Sequence, residues 1–118
     1  MSTPFETIDA ANRQFEQLFN SGKIGELAEL YTSNGRLFPA DKNKYEGREH
    51  VKQFWQGARD VGVDNLCLTT GTVIEAGHDR LIETSSYQHS LGQGNYQVVW
   101  KRSADGKNEW QLETDIFN

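Results

Sequence analysis

The chain has 118 residues, of which 36% are apolar and 11% aromatic, and its formal net charge is −5. This length fits a single domain, residues 1–118, with one core. The basic residues form no cluster longer than the pair Lys101 and Arg102, so phosphate backbones and anionic membrane surfaces are poor partners. No apolar run approaches the roughly 20 residues of a membrane-spanning helix. We therefore expect no nucleic acid and no membrane among its partners.

The chain contains one cysteine, Cys67, which excludes an internal disulfide framework and is typical of the reducing cytosol. The first residues have no basic segment followed by an apolar one, so no secretory signal is visible. We expect a cytoplasmic location. Cys67 lies in a segment with strand character between Leu66 and Leu68. A reactive thiolate usually has a basic neighbour or a helix N-terminus beside it, so we also expect a buried, unreactive thiol.

Helical periodicity dominates the first half of the chain. Thr3, Pro4 and Glu6 are typical of a helix that begins with a capping box. An apolar stripe follows at three- and four-residue steps, formed by Phe5, Ile8, Ala11 or Asn12, Phe15, Leu18 and Phe19. A second, short helix is predicted around residues 24–31, and a third between Gly47 and Gly62. A short strand is predicted at residues 36–38, followed by a polar loop at residues 40–46.

From Val63 onward the apolar period changes from 3.6 to 2, which indicates strands. Four segments are predicted, near residues 66–74, 81–91, 96–102 and 109–117. Short turns separate them, the last marked by Ala104, Asp105 and Gly106. Strands joined in this way favour an antiparallel meander, so the predicted fold class is α+β.

Four local motifs occur in a fixed order, at residues 30–37, 47–55, 81–87 and 94–118. In this order they resemble segments of the nuclear transport factor 2-like superfamily, and most closely its SnoaL-like, ketosteroid isomerase-related group. The resemblance implies a cystatin-like fold, in which a cone-shaped, curved antiparallel sheet wraps around three helices from the N-terminal half. It also implies a pocket at the wide end of the cone and a homodimer through the outer face of the sheet.

The steroid isomerases of that superfamily imply a carboxylate base before the proline that follows the second helix. They also imply a tyrosine and a protonated aspartate that together form an oxyanion hole. The matching positions here are Phe38, Phe15 and Gln97. None of them has the required chemistry, so steroid isomerisation is not expected, although Gln97 can donate a hydrogen bond to a carbonyl.

The last predicted strand holds the candidate catalytic residues, Glu113 and Asp115. They alternate onto one face together with Gln111 and Phe117, and the resemblance places that face inward. Two carboxylates about 7 Å apart in an apolar cone would raise the pKa of one of them and permit acid–base chemistry near neutrality. In the alternative interpretation this face is solvated, and the face that carries Trp110 forms the core.

The predicted ligand is a small apolar molecule. Its expected wall consists of Phe15, Phe38, Trp55, Tyr87, Gln97 and Phe117. The implied activity is proton transfer, as in an isomerase, dehydratase or cyclase, and the alternative is a non-catalytic ligand-binding or association module. No two of the histidines have metal-ligand spacing, so no metal site is expected. No cofactor is expected either.

Two further residues have predicted structural roles. Glu83 is expected to form an ion pair with Arg36 or Arg48. Trp100 and Trp110 are expected to form a cross-strand pair, which would make an apolar dimer surface if it faces outward.

Overall fold

Three helices and six strands make up the computed structural model, which describes residues 2–104 and 109–118. The helices are α1 (Pro4–Asn20), α2 (Ile24–Ala28) and α3 (Arg48–Asp60). The strands are β1 (Tyr31–Phe38), β2 (Tyr45–Glu46), β3 (Cys67–Glu75), β4 (Arg80–His89), β5 (Gly92–Arg102) and β6 (Trp110–Phe117). The predicted turn at Ala104, Asp105 and Gly106 lies mostly outside the described residues.

The strands form one curved, unclosed sheet in the order β2-β1-β6-β5-β4-β3. Strands β3 to β6 pair antiparallel, as predicted for the meander, whereas β1 runs parallel to β6. The strand predicted at residues 36–38 is longer, because β1 begins at Tyr31 and its register with β6 is irregular between Tyr31 and Arg36. The two-residue strand β2 was predicted to be loop. The predicted α+β, cone-forming class is confirmed.

Helix α1 begins as its sequence predicts. The Glu6 amide donates to Thr3 Oγ1 at 3.1 Å, and the Thr3 amide donates to Glu6 Oε1 at 3.0 Å, which completes the capping box. The buried stripe of α1 consists of Ile8, Asn12, Phe15 and Phe19. The stripe therefore carries one buried polar side chain, Asn12, among apolar ones.

Side chains of α1 bind backbone groups at the free edge of the sheet, in β3 and in the residue before it. Asn20 exchanges two hydrogen bonds with the backbone of Leu66, at 3.1 and 2.8 Å. Glu16 accepts from the Leu68 amide at 2.5 Å, and Arg13 donates to the Leu68 carbonyl. These contacts satisfy edge groups that would otherwise be open to another strand, and they fix α1 across the concave face of the sheet. Cys67, which was predicted to be buried, points the opposite way from its two leucine neighbours and is exposed.

The outer face of the sheet carries two cross-strand rows of side chains. One row is Ile74, Ile82, Val99 and Thr114, and the other is Thr72, Thr84, Gln97 and Ile116. The predicted tryptophan pair is not there. Trp100 is 2% exposed and points into the core, while Trp110 pairs with Arg102, whose guanidinium lies 4.5 Å from its ring centre. No helix among the described residues is long and apolar enough to cross a membrane.

Candidate functional site

A cavity of about 140 Å³ lies between the helices and the concave face of the sheet. It is lined by Asn12, Phe15, Phe54, Trp55, Ala58, Val63, Leu66, Leu68, Tyr87, His89, Tyr96, Val98, Leu112, Asp115 and Phe117. Helical spacing brings Asn12 and Phe15 to one side of α1. The open side is marked by the half-buried lining residues, which are Phe54, Ala58, Val63, Tyr87, His89 and Phe117. A cavity of this order holds one aromatic ring.

Asp115 is the buried carboxyl group of this cavity, with only 5% of the residue exposed. Tyr31 OH donates to Asp115 Oδ2 at 2.7 Å, and Trp55 Nε1 donates to Tyr31 OH at 3.1 Å. No donor among residues 2–104 and 109–118 contacts Asp115 Oδ1. One oxygen is therefore fixed by the protein, and the other is left for whatever enters the cavity.

Burial raises the pKa of Asp115 to about 7, because water is not available to solvate the charge. The hydrogen bond from Tyr31 opposes this rise, and the negative charge of Glu83 adds to it. The register explains the coupling, since Glu83 on β4 and Asp115 on β6 both pair with Val98 on the strand between them. Burial and the Asp115 charge raise the pKa of Tyr31, so its hydroxyl remains a donor.

Glu83 is fully buried and forms a separate network behind the cavity wall. Its Oε2 accepts from Asn12 Nδ2 at 2.6 Å, Ser85 Oγ at 2.6 Å and Tyr96 OH at 2.8 Å. Its Oε1 accepts from Trp100 Nε1 at 3.0 Å. The predicted ion pair with Arg36 or Arg48 is wrong, because four uncharged donors occupy the carboxylate instead.

Solved structures of other proteins share this architecture. No family model and no curated protein matches the chain. A domain of unknown function with a cystatin-like fold from Nostoc punctiforme superposes with a TM-score of 0.83 at 16% identity, over 100% of this chain and 78% of that one. A ketosteroid isomerase-like protein from Erwinia carotovora atroseptica gives 0.77 at 17%, over 99% and 96%. An NTF2-like protein with a cystatin-like fold from Novosphingobium aromaticivorans gives 0.74 at 13%, over 97% and 80%.

The chain has the nuclear transport factor 2-like, cystatin-like fold. At these identities the similarity establishes the fold alone, so any function has to be argued from the cavity.

In this nuclear transport factor 2-like fold, five of the predicted site residues come together around the cavity. They are Phe15, Trp55, Tyr87, Asp115 and Phe117. Trp55 and Phe117 stack with ring centroids 5.6 Å apart, and Phe15 meets Trp55 edge-on at 5.5 Å. Their positions agree with the prediction made from the sequence, while their functional roles stay predictions.

Two predicted wall residues point away from the cavity. Gln97 is exposed on the outer face, where its Nε2 lies 3.3 Å from Thr84 Oγ1. Its neighbour Tyr96 points inward instead, so the predicted facing of β5 was wrong by one residue. Phe38 is wrong for the same reason: Leu37 is buried in the core, and Phe38 pairs with Ile116 on the outer side.

Glu113 was predicted to share the inward face with Asp115, and this placement is wrong. Val99 pairs with Thr114 and Trp100 pairs with Leu112, so Glu113 is the extra residue of a β-bulge. The bulge shifts the alternation, so that Leu112 and Asp115 both line the cavity and Glu113 does not. Glu113 instead forms a two-pronged ion pair with Arg80, at 2.9 and 3.0 Å.

Three polar residues of the site were missed by sequence reasoning, namely Asn12, Tyr31 and Tyr96. Asn12 carried a usable signal, because a polar residue within an apolar helical stripe indicates a buried hydrogen-bonding partner. Tyr31 and Tyr96 looked like ordinary core aromatics. Among the described residues, no group of three His, Cys, Asp or Glu side chains could hold a metal ion.

Proposed function

We propose that this domain binds a small, largely apolar molecule in the cavity and that Asp115 transfers a proton from or to it. One observation carries the proposal: Asp115 lines the cavity and is held through Oδ2 by Tyr31, while Oδ1 has no donor among the described residues. A buried acidic group whose remaining oxygen is available to a ligand has the geometry of a general acid–base residue.

The protonation behaviour of Asp115 supports this role. With a pKa of about 7, the carboxyl group is present in both forms near neutral pH, so it can remove a proton from one atom and return it to another. The aromatic wall limits the solvation of Asp115, which favours a reactive carboxylate over a well-solvated one. Such a group fits isomerisation, dehydration or cyclisation of an apolar substrate.

Steroid-isomerase chemistry has no support, because its three positions fail individually. Phe38 lies on the outer side of β1, Phe15 has no hydroxyl, and Gln97 is exposed on the outer face. Asp115 is therefore the group on which a proton-transfer function rests.

The test uses 5-nitrobenzisoxazole, a flat bicyclic probe whose ring opening needs only a base. The base takes the C3 proton, the N–O bond breaks, and its electron pair remains on oxygen, which gives a coloured nitrophenolate. We expect the protein to accelerate this opening, with a rate that rises with pH around 7, because the ionised form of Asp115 is the base. Absorbance of the product measures the rate.

Two variants serve as comparisons. Asp115→Asn should lower the rate by about 100-fold or more, the usual contribution of a general base. Glu113→Gln should leave it unchanged, because Glu113 is outside the cavity. Equal rates for the protein and Asp115→Asn would refute the role of Asp115. If the protein binds the probe without opening it, the non-catalytic ligand-binding alternative replaces proton transfer.

The homodimer through the outer sheet face stays a prediction, now based on different residues. Trp100 is buried, and the face instead exposes Ile74 and Ile116, which are 59% and 46% exposed. Sedimentation velocity measures the assembly state. If the predicted dimer forms there, Ile116→Lys should shift it towards monomer by placing a charge at the interface.

A further inference from the structure

With one exception, the hydrogen-bond donors of the cavity wall are already used within the protein; the exception is His89 at the open side, whose Nδ1 accepts from the Leu91 amide and whose Nε2 has no partner among the described residues. Asn12 Nδ2 donates to both Thr70 Oγ1, at 2.9 Å, and Glu83. Trp55 Nε1 donates to Tyr31 OH, and Tyr96 OH donates to Glu83. At the open side, Tyr87 OH donates to the Asn118 carbonyl. A ligand with only acceptors would find few partners in this wall.

The acceptors of the wall are in the opposite situation. Asp115 Oδ1 accepts no hydrogen bond within residues 2–104 and 109–118, and neither does Asn12 Oδ1. Both residues line the cavity. Acceptors that no protein donor meets can bind donors of a ligand, so these two oxygens favour a ligand that brings donors of its own.

The charge of the cavity wall indicates which kind of donor group the ligand carries. No Lys or Arg lies among the described lining residues, and the two buried carboxyl groups of this region are Asp115 and Glu83. Six lining residues are aromatic: Phe15, Phe54, Trp55, Tyr87, Tyr96 and Phe117. Aromatic faces attract cations, and an ammonium group brings three donors with a positive charge. A neutral alcohol would satisfy an acceptor without offsetting the negative charge.

We propose that the ligand of this cavity is a small apolar amine, bound as its ammonium ion, with N–H groups on Asp115 Oδ1 and its ring against the aromatic wall. The inference rests on the proposed function, since it names the chemical class that the same site accepts. In this complex ionised Asp115 can also take a proton from the ammonium group, which leaves a neutral amine and a protonated carboxyl.

Several titratable groups face Asp115 and bear on the pH response. They are Tyr31 on β1, Glu83, Tyr87 and His89 on β4, and Tyr96 on β5. The tyrosine pKa values are raised, so these side chains stay neutral near pH 7. Helix α1 contributes the uncharged Asn12 and Phe15. From α3, Arg48 donates to the Tyr31 carbonyl and holds β1 rather than the cavity.

The pH dependence of binding is the sharpest consequence. Benzylamine is protonated throughout the range from pH 6 to pH 8, whereas Asp115, with its pKa near 7, changes from mostly neutral to mostly ionised. If only the ionised form binds the ammonium, the affinity should increase about tenfold between these two pH values. Titrations followed by the indole N–H signal of Trp55 in NMR spectra measure it, because this N–H belongs to the hydrogen-bonded chain that ends on Asp115.

Matched ligands and variants isolate the cause. Benzyl alcohol and toluene have the same ring and should bind with affinities that hardly change with pH. Asp115→Asn should abolish the tenfold response to pH. His89→Asn should retain it, which excludes a contribution from protonated His89 at the open side; burial already lowers the pKa of His89.

The outcomes separate this inference from the proposed function. Benzylamine that binds no better than benzyl alcohol at pH 8, or that binds better at pH 6, would overturn the amine inference. If benzisoxazole opening still depends on Asp115 in that case, the proton-transfer function survives with a neutral substrate. If toluene also fails to bind and no opening occurs, both ideas fail together.

Discussion

Two carboxyl groups lie on either side of Val98, and their surroundings differ in every respect that matters for chemistry. Glu83 accepts hydrogen bonds from four donors, and each of its two carboxylate oxygens has at least one of them. Asp115 has one donor and one oxygen that no described donor contacts. Saturated hydrogen bonding is typical of a group that holds a core together, whereas an incomplete set of partners leaves a group able to bind or react. The contrast supports a scaffold role for Glu83 and the proposed site role for Asp115.

Among the substitutions that test this contrast, Glu83→Gln has the largest expected effect. The amide has one acceptor oxygen in place of two: with that oxygen in the place of Oε2, its NH₂ group faces the indole N–H of Trp100, and the donors of Asn12, Ser85 and Tyr96 no longer meet a charge. We expect the free energy of unfolding to fall by about 4 kcal/mol, as several buried hydrogen bonds to a charge are lost. Urea unfolding measures it. A loss below about 1 kcal/mol would show that the network is not structural.

The same acid-to-amide change at Asp115 should act in the opposite direction. Folding raises the pKa of this carboxyl from 3.8 to about 7, so ionising it costs more free energy in the folded state than in the unfolded state. The resulting penalty is absent below about pH 4, develops between pH 4 and 7, and is complete above pH 7. Three pKa units set an upper bound of about 4 kcal/mol.

We therefore expect Asp115→Asn to stabilise the protein by about 2 kcal/mol at pH 8, since water entry through the cavity reduces the bound. The gain should vanish near pH 4, and unfolding curves at the two pH values measure it. A substitution that stabilises the fold and removes activity is typical of a functional group that the fold holds at a cost in stability. Destabilisation at pH 8 would instead place Asp115 with Glu83 in the scaffold.

Removing the single donor of Asp115 sharpens the comparison further. In Tyr31→Phe, the hydrogen bond that lowers the pKa of Asp115 is lost, so that pKa should rise above its present value of about 7. The pH midpoint of benzisoxazole opening should move upward with it. Stability should fall by about 1–2 kcal/mol, because Trp55 Nε1 also loses its acceptor. An unchanged midpoint would mean that Tyr31 does not position the carboxyl group.

The sequence predicts the elements of this fold better than the facing of individual strands. Capping at Thr3, the apolar stripes of α1 and α3 and the change of period at Val63 are local signals that correspond to observed structure. The second helix is the exception, because it ends at Ala28 and Tyr31, which was predicted to lie within it, begins β1. Facing depends on register, which long-range pairing determines. Gln97 shows the consequence, since a one-residue error on β5 placed it in the cavity and left Tyr96 out.

The site itself was half predictable, for reasons visible in single residues. Asp115, Trp55 and Phe117 were found because alternation and helical spacing hold locally around them. The bulge at Glu113 has no sequence signal in this strand, so alternation counted across it gave the wrong neighbour. The donors around Glu83 come from α1, β4 and β5, and residues so far apart in sequence are brought together only by the folded chain.

The smallest expected effect belongs to Glu113, the residue that alternation wrongly paired with Asp115. Its ion pair with Arg80 is partly exposed, with side-chain exposures of 25% and 29%. Partly exposed pairs of this kind are worth at most about 1 kcal/mol and weaken with salt. Glu113→Gln should thus lower stability by about 0.5 kcal/mol in dilute buffer and by less in high salt. Benzylamine affinity and the pH midpoint of ring opening should stay unchanged. A shift in that midpoint would mean that the charge of Glu113 reaches Asp115 through the sheet, and the division into one scaffold and one site carboxylate would then have to include a third group.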